Sequence, residues 1–309
     1  MLCMFSIIAL AGWGQVQVFV SLNGDDSNKG TKQSPLASVA MALRNVREMR
    51  RLNDPSVKSG AHIMINGGTY RFNEPLFIRP EDSGTETSPT IIENAEGQKP
   101  VFSGGVMITG WKKTSGIVYG LPKEAQGKVW VADAPMSGGQ TLNFRQLWVN
   151  NTKGIRAKDT KGDSMNRILS WDHKNESCRI PKPIMDLSNA EGVEMFIHQW
   201  WAIAILRIKL ISVSGNSAQL TFYQPESHIQ SEHPWPAPWL SSKTGNSAFY
   251  LTNAIQFLDE PGEWFLDMVK RSKNLGSLID CGISLPLRLP VARKTWKPFG
   301  LQISHIILA

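Results

Sequence analysis

Four carboxylates fall within one short segment of the 309-residue chain: Asp259, Glu260, Glu263 and Asp267. Hydrolysis of a glycosidic bond uses two carboxyl groups about 5 to 9 Å apart, one as the acid and the other as the base or nucleophile. On a strand, Glu263 and Asp267 would face the same side but lie about 13 Å apart. Asp259 and Glu260, being neighbours, would point in opposite directions. The spacing therefore indicates turn residues rather than a catalytic pair, and the catalytic residues stay unknown at this level.

Tryptophan is the second unusual feature, with eleven Trp against four Tyr. Trp200 and Trp201 are adjacent, and Trp235 and Trp239 lie in the proline-rich run Pro234–Trp239. Prolines keep this run extended and out of a central strand. The large, flat and amphipathic indole ring stacks on the C–H faces of sugars. We therefore expect these four tryptophans to bind substrate, the alternative being loop tryptophans that pack over a β domain.

Arg156 is the candidate for contact with a charged substrate. A guanidinium group can clamp the anionic group of an acidic sugar. Arg156 also alternates with apolar residues in the strand-like run Ile155–Ala157, where an arginine more commonly forms a structural ion pair. Two interpretations therefore stay open, a substrate-binding arginine and a structural one.

Metal and cofactor motifs are weak in this sequence. His228 and His233 do not have the His-Glu-x-x-His spacing of a zinc site, which favours a polar loop. Asp25, Asp26 and Asn28 lie in a loop that could hold Ca²⁺, but the glutamate that closes an EF-hand loop is missing, which favours a tight turn. The sequence has no phosphate-binding loop, dinucleotide-binding glycine pattern or Gly-x-Ser-x-Gly elbow. We expect no metal and no cofactor.

The elements that would position these residues begin with an alternating strand at Val16–Val20. Ser34 and Pro35 predict a helix start, with Ser as the N-cap and Pro as the first helical residue, so a helix is expected from 35 to 52. Its apolar residues recur every three or four positions and form one face: Leu36, Val39, Leu43, Val46 and Met49. The sequence thus predicts one amphipathic helix that lies over an apolar surface.

The rest of the chain is predicted to form short strands. Between 61 and 110, brief apolar runs alternate with glycine- and proline-rich turns, which is typical of a β-solenoid capped by the preceding helix. Between 111 and 267 the runs lengthen and indicate an inserted antiparallel sandwich-like domain. The alternation within Leu206–Val213 slips by one residue, which predicts a β-bulge. The expected fold class is all-β.

Several of these segments resemble known secreted proteins. The opening Val20–Ser38 resembles that of right-handed parallel β-helix proteins, and further motifs strengthen the likeness: Gly67–Tyr70, Pro80–Gly84, Pro100–Gly105, Ile108–Trp111, Phe144–Asn150, Ile155–Ala157 and Phe257–Asp267. Residues 16–267 resemble the N-terminal half of β-helix glycoside hydrolases near family 141, in which fucosidase and xylanase activities are known. The resemblance implies a right-handed parallel β-helix start with an N-terminal capping helix and an inserted antiparallel β-sandwich-like domain. It also implies catalytic carboxylates on later rungs, which no position of this chain matches.

Residues 268–309 depart from this pattern. From Val269 to Ala309 the chain has seven Lys or Arg and one acid, whereas the preceding residues have 26 basic and 25 acidic groups. A nucleic-acid-binding surface needs basic groups clustered on a folded face, so we expect no nucleic-acid partner. The segment is interpreted as an aberrant basic tail that arose from a reading-frame shift near Met268 or a truncation, with a divergent surface tail as the alternative. Ser304–Leu308 resembles a later β-helix rung.

The N-terminus and the cysteines indicate the compartment. Residues 3–12 form an apolar run like the core of a secretory signal, so 1–15 is interpreted as a signal peptide, with a buried first strand as the alternative. Only one of three cysteines, Cys178, lies in the body of the chain, so neither an internal disulfide nor a cysteine zinc site is expected. We expect a monomer that is secreted, periplasmic or on the outer cell surface, with no membrane span in the mature chain.

The sequence thus divides into a signal peptide (1–15), a cap with the first β-helix rungs (16–110), an inserted domain (111–267) and the tail (268–309). The resemblance implies a truncated glycoside hydrolase for fucose- or xylose-containing polysaccharides that lacks the catalytic rungs and is inactive alone. The expected partner is a polysaccharide or an oligosaccharide. Two alternatives stay open: a non-catalytic glycan-binding or surface module that uses only the tryptophans, and a polysaccharide lyase with a Lys or Arg base and usually Ca²⁺.

Overall fold

Strands account for most of the regular structure. A computed structural model describes residues 15–149, 152–188, 192–232, 238–267, 278–281 and 305–308. The chain divides into one unit of residues 1–106 and 294–309 and a second unit of residues 107–293. The described residues form 22 strands and two α-helices, so the predicted all-β class is confirmed. The predicted signal peptide lies outside the described residues except for Gln15.

The first unit alternates short strands with turns and includes one helix. Its elements are β1 (Val16–Val20), α1 (Val39–Arg51), a 3₁₀ turn (Pro55–Val57), β2 (Ala61–Ile65), β3 (Gly68–Arg71), a 3₁₀ turn (Pro80–Asp82), β4 (Thr90–Asn94) and β5 (Pro100–Ser103). β1, β2 and β4 pair in parallel, with Val16, Ala61 and Thr90 at one register position. β3 and β5 are also parallel. Parallel pairing requires a crossover connection between each two strands, and α1 lies in the first of these connections.

α1 packs on this sheet through the face that the sequence predicts. Val39, Leu43 and Val46 are buried. They share one core with strand residues such as Val18 and Ile63, because alternate side chains of β1 and β2 point toward the helix. The regular three- and four-residue spacing of apolar side chains is therefore what fixes the rotation of α1 about its axis.

α1 begins at Val39, four residues later than the sequence predicts. The N-cap is Ser38, whose hydroxyl accepts a hydrogen bond from the Met41 N–H at 3.1 Å. The Asp26 carboxylate accepts hydrogen bonds from the backbone N–H groups of Ala37 and Ser38. These bonds hold the backbone extended up to the cap, where φ is −124° and ψ is 146°. The predicted start was wrong because a contact from outside the segment overrides its local helix signal.

Replacing Ser38 by alanine is expected to lower the free energy of unfolding by about 1 kcal/mol, because the first turn loses its hydrogen-bond acceptor. Asp26 also loses the Ser38 hydroxyl as a donor. Ser34→Ala is the matched control, because the described structure shows no hydrogen bond from the Ser34 side chain. Urea denaturation of both variants measures the difference. A larger loss for Ser34→Ala than for Ser38→Ala would contradict this N-cap.

The second unit contains the remaining helix and most of the strands. Its first elements are β6 (Lys112–Lys113), a 3₁₀ turn (Lys123–Ala125), β7 (Trp130–Asp133), β8 (Met136–Ser137), β9 (Gln140–Thr141), β10 (Trp148–Val149), β11 (Thr152–Lys153) and β12 (Ile155–Arg156). Next come β13 (Asn166–Arg167), β14 (Ser170–Asp172), β15 (Ser177–Pro181), β16 (Glu194–His198), β17 (Ile203–Ser214) and β18 (Ser217–Phe222). The last are α2 (Glu226–Glu232), β19 (Ala248–Thr252), a 3₁₀ turn (Ile255–Phe257), β20 (Glu263–Trp264) and β21 (Leu278–Cys281).

Seven of these strands form one sheet in the order β13-β19-β16-β17-β18-β15-β14. All of its pairings are antiparallel. β17 is twelve residues long; its first half pairs with β16 and its second half with β18. The register shifts between Ile208 and Leu210, inside the segment where the sequence predicts a bulge, and that prediction is confirmed.

The two halves of this sheet share one hydrophobic core. Met195 and Leu206 come from the half around β16, and Cys178 and Leu220 come from the half around β18; all four are buried in the same cluster. The predicted sandwich-like insert is therefore a single continuous sheet, in which β17 joins the halves that a sandwich would keep as separate sheets. The side chains that point away from this core form the other face of the sheet, which includes the candidate site.

The last strand, β22 (His305–Leu308), pairs with β4 in the first unit. The pairing is antiparallel, with Leu308 opposite Thr90. A further rung of a parallel solenoid would pair in parallel, so β22 does not pair with β4 as such a rung, and the likeness of Ser304–Leu308 to a later rung stays a prediction. Most of residues 268–309 lie outside the described residues, and the frame-shift interpretation stays a prediction.

Candidate functional site

The outer face of the seven-stranded sheet has a row of half-buried aromatic side chains. Met195 and Ile197 of β16 point into the core, so Phe196 and His198 point the opposite way. Tyr250 of β19 lies opposite Phe196 in the pairing register, and their rings stack with centroids 5.0 Å apart. The His198 ring lies 6.0 Å from the Tyr250 ring. We call Phe196, His198 and Tyr250 the aromatic ledge.

Trp200 and Trp201 form the tip of the hairpin between β16 and β17. The Gln199 N–H donates to the Ala202 carbonyl at 2.9 Å, which leaves the two tryptophans as a two-residue turn. They are 65% and 78% exposed. Such turns favour glycine or asparagine with positive φ, and neither tryptophan has positive φ. A turn that breaks the local sequence rule and keeps two large rings in water is expected where function requires it.

Trp239 holds this tip in place. Its ring centroid lies 5.4 Å from that of Trp200. The Trp239 indole N–H donates to the Gly245 carbonyl at 2.9 Å, and its backbone exchanges hydrogen bonds with Ser247. The structure thus brings together three of the predicted tryptophans, Trp200, Trp201 and Trp239, which we call the tryptophan corner. Trp235 lies outside the described residues.

A buried ion pair lies at the opposite end of the same strand. Glu194, 3% exposed, accepts hydrogen bonds from Arg145 Nη2 at 2.6 Å and from Arg156 Nη1. Arg156 also donates to Asn253 Oδ1 at 3.2 Å and lies 5.5 Å above the Trp264 ring. Burial lowers the pKa of Arg156, Glu194 opposes that shift, and Arg145 adds to it. We call Arg145, Glu194 and Arg156 the arginine cluster.

The contacts of Arg156 are those of a structural arginine, which is one of the two interpretations that the sequence left open. Its guanidinium group donates hydrogen bonds to Glu194 and Asn253, and its side chain is 8% exposed. Arg145 is the accessible member of the cluster, with 42% of its side chain exposed. Direct contact of Arg156 with a sugar stays a prediction.

The acidic segment near residue 260 forms a turn. Glu263 is 3% exposed and accepts hydrogen bonds from the backbone N–H groups of Asp259 at 3.0 Å and Glu260 at 3.1 Å. Burial raises the pKa of Glu263 to about 7, and the two backbone hydrogen bonds only partly oppose that shift. Lys161 lies 3.4 Å from Glu260. Through these contacts, the carboxylates of Glu263 and Glu260 stabilise the turn.

The residues that resemble metal ligands in the sequence have other partners. Asp25 accepts a hydrogen bond from the Ser27 N–H, and Asn28 donates to the Pro35 carbonyl. His228 pairs with Glu176 at 2.9 Å, and His233 lies outside the described residues. Throughout the described ranges, no three His, Cys, Asp or Glu side chains come close enough to hold a metal ion. In the same ranges no helix has the length and apolar character needed to cross a membrane.

Four residues of this face were missed at the level of sequence: Arg145, Glu194, Phe196 and Tyr250. The alternation in Glu194–Trp200 was the available signal, because glutamate, phenylalanine, histidine and tryptophan occupy every second position. Tyr250 and Arg145 could not be found in this way, since Tyr250 meets Phe196 only through the pairing of β19 with β16, and Arg145 meets Glu194 only through tertiary contact.

Family and structural comparisons agree on which proteins this chain resembles. Residues 127–274 match the family model described as the GH141 insertion domain. A solved structure described as a glycoside hydrolase is 48% identical and superposes with a TM-score of 0.71 over 82% of this chain. The resemblance to glycoside hydrolases near family 141, predicted from the sequence, is confirmed.

The chain spans only part of the length of these relatives. It covers 41% of the solved glycoside hydrolase. Uncharacterized protein YwoF of Bacillus subtilis (strain 168) is 33% identical over 87 residues, which are 28% of this chain and 15% of that protein. Pectate lyase PEL9 of Emericella nidulans is 22% identical over 157 residues, which are 50% of this chain and 32% of that protein.

Proposed function

We propose that this chain is part of a secreted glycoside hydrolase and that its second unit is an inserted domain that binds the polysaccharide substrate. The match to the GH141 insertion domain and the 48% identical glycoside hydrolase support this class. The parallel pairing of β1, β2 and β4 supports a right-handed parallel β-helix as the frame of the first unit. Secretion, to the periplasm, the outer surface or the medium, is proposed from the apolar run at residues 3–12.

The tryptophan corner is the observation that carries the proposal. Trp200 and Trp201 expose broad apolar rings at a hairpin tip, and Trp239 fixes the first of them. Sugars present flat C–H faces that pack on such rings, with their hydroxyl groups left to hydrogen-bond at the edges. The aromatic ledge continues from this corner along β16, so the face offers an extended surface for a chain of sugars.

Two more specific proposals concern the substrate class and whether this chain hydrolyses its substrate. A fucose- or xylose-containing polysaccharide is proposed from the resemblance to family 141. Catalysis is assigned to carboxylates on further β-helix rungs, which is supported by the structural role of Glu263 in its turn. These 309 residues are accordingly proposed to bind polysaccharide without hydrolysing it. The non-catalytic glycan-binding module is the second candidate, and the same tryptophan corner supports it.

The proposal is tested first by electrophoresis of the purified chain through gels with and without dissolved polysaccharide. Xylan and a fucose-containing polysaccharide are expected to slow its migration without release of reducing sugar. Release of unsaturated uronate, seen by its ultraviolet absorbance, would instead support a lyase. Equal migration in every gel would contradict glycan binding.

Replacing both Trp200 and Trp239 by alanine is expected to weaken glycan binding at least tenfold, or by about 1.4 kcal/mol. One ring is removed from the binding surface, and the other can no longer support the hairpin tip. Isothermal titration with an oligosaccharide of the retained polysaccharide measures the change. Tyr119→Ala is the control, because Tyr119 is a 92% exposed aromatic side chain of the same unit. Equal affinity of the double variant and the control would contradict the assignment of the site.

A further inference from the structure

The arginine cluster has an excess of positive charge. Glu194 is the one carboxylate that the described residues bring within ion-pair distance of Arg145 and Arg156. A single carboxylate balances only one of the two guanidinium groups. Arg156 is 8% exposed, and charge interactions in such partly desolvated surroundings are stronger than in water. The cluster is therefore a place where one more negative charge would be favourable.

Two further groups at Tyr250 extend this positive region toward solvent. The ammonium group of Lys158 lies 5.5 Å from the centroid of the Tyr250 ring and donates to the Gly162 carbonyl. Burial raises the pKa of Tyr250, so its hydroxyl stays protonated and able to donate at neutral pH. That hydroxyl has no hydrogen-bond partner among the described residues. Together with the half-exposed Arg145, these groups provide hydrogen-bond donors at one end of the aromatic ledge.

The neighbouring acidic residues are already engaged. Asp159 accepts hydrogen bonds from the Leu251 N–H at 2.8 Å and from the Asn166 side chain at 3.0 Å. Glu226 pairs with Arg207, whose Nη2 lies 3.0 Å from it. Neither carboxylate is within ion-pair distance of the arginine cluster. The missing negative charge can therefore come from a ligand.

The arginine cluster and the tryptophan corner lie at the two ends of strand β16. Glu194, Phe196 and His198 share the outer face of β16, and Trp200 follows at the hairpin tip. At about 3.3 Å per residue, six residues separate Glu194 from Trp200 by about 20 Å. A ligand that reaches both ends must therefore be several sugars long.

We infer that the ligand of this face is an acidic oligosaccharide or polysaccharide that binds the arginine cluster through an anionic group, a carboxylate or a sulfate ester, and the tryptophan corner through a neutral sugar. The inference rests on the proposed glycan-binding function and adds the charge and the minimum length of the ligand. Arg145, Lys158 and the Tyr250 hydroxyl contact the anion. Arg156 acts through Glu194, because it pairs with the Glu194 carboxylate that in turn pairs with Arg145.

The test compares matched ligands by isothermal titration on the intact chain. One pair is a uronate-bearing oligosaccharide and the same compound after reduction of its carboxyl groups to alcohols. The second pair is a sulfated oligosaccharide and its desulfated form. Each pair is used as a disaccharide and at tetrasaccharide length or longer. The two pairs distinguish a carboxylate from a sulfate ester as the preferred anion.

We expect the longer acidic member of one pair to bind at least tenfold tighter than its neutral form at low ionic strength. The preference should shrink in 1 M salt, because the Debye length falls to about 3 Å. The disaccharides should show a weaker preference, since they cannot reach both ends. The double variant Arg145→Gln, Lys158→Gln should lose the acid preference, so that it binds the acidic and the neutral form with similar affinity. The double variant Lys174→Gln, Lys182→Gln, at two exposed lysines of the same unit, is the charge-matched control.

Two results would overturn the inference, and they have different meanings. If acidic and neutral ligands bind equally well, the anion site is wrong while the proposed glycan-binding function stands. If no ligand binds, the proposed function fails together with the inference. Thermal unfolding of each variant confirms that it is folded. If only the double variant is unfolded, the single variant Lys158→Gln decides, because Lys158 takes no part in the Glu194 ion pair.

Discussion

Replacing Glu194 by alanine is expected to destabilise the protein by about 3 to 5 kcal/mol, because the change leaves the buried guanidinium group of Arg156 without its carboxylate. Arg156 has almost no access to water that could compensate for the loss. Among the described residues, the Asn253 side chain and the Trp264 ring remain as its favourable neighbours. The magnitude reflects the uncompensated charges that remain, which exceed the net value of the ion pair itself.

Equilibrium unfolding in urea measures this effect, and Glu226→Ala is its matched control. Glu226 also pairs with an arginine of the sheet, Arg207, but the side chains of that pair are 48% and 22% exposed. Exposed pairs contribute at most about 1 kcal/mol, so the control should lose little stability. Similar losses for Glu194→Ala and Glu226→Ala would show that the arginine cluster is not held by its buried carboxylate.

Raising the pH from about 4.5 to about 8 is expected to lower the stability by about 3 kcal/mol through Glu263 alone. Burial raises the folded pKa of Glu263 from 4.5 to about 7. Between these two values the folded protein holds a proton that the unfolded chain has released. The stabilisation is therefore complete below about pH 4.5 and is lost as the pH rises through 7. Asp159, whose pKa burial raises to about 6, acts in the same direction.

The variant Glu263→Gln separates this effect from the rest of the pH dependence. The glutamine oxygen can accept the same backbone hydrogen bonds from Asp259 and Glu260, while the side chain stays neutral at every pH. The variant should therefore equal the wild type near pH 4.5 and exceed its stability at pH 8. Thermal unfolding at several pH values measures both, with the exposed Asp163→Asn as control. An unchanged slope between pH 5 and 7 in Glu263→Gln would contradict the raised pKa.

Patterns within short stretches of sequence correctly predicted the features that depend only on neighbouring residues. The apolar spacing gave the buried face of α1, and the slip in Leu206–Val213 gave the bulge of β17. The start of α1 was mispredicted because Asp26, a residue from an earlier loop, fixes the backbone at Ser38. A local capping signal has no information about a side chain that arrives from outside its own segment.

The candidate site shows the same division. The tryptophans could be identified by residue type and by their proline-rich surroundings, and three of the four lie together in the described structure. The arginine cluster could not, because Arg145 and Arg156 meet Glu194 across 49 and 38 residues of chain. That meeting depends on the register of β16 against its neighbours and on the course of β12, which single-sequence periodicity does not specify.

The shared strand β17 has a consequence for how the seven-stranded sheet opens. Its twelve residues bond to β16 in one half of the sheet and to β18 in the other, so neither half can separate without breaking bonds of a strand that both require. The domain should therefore behave as one cooperative folding unit, with amide hydrogen exchange slowed together in β16, β17 and β18. A substitution that loosens the core at Leu220 should then speed amide exchange in β16 as well, although no contact on the outer face of the sheet has changed.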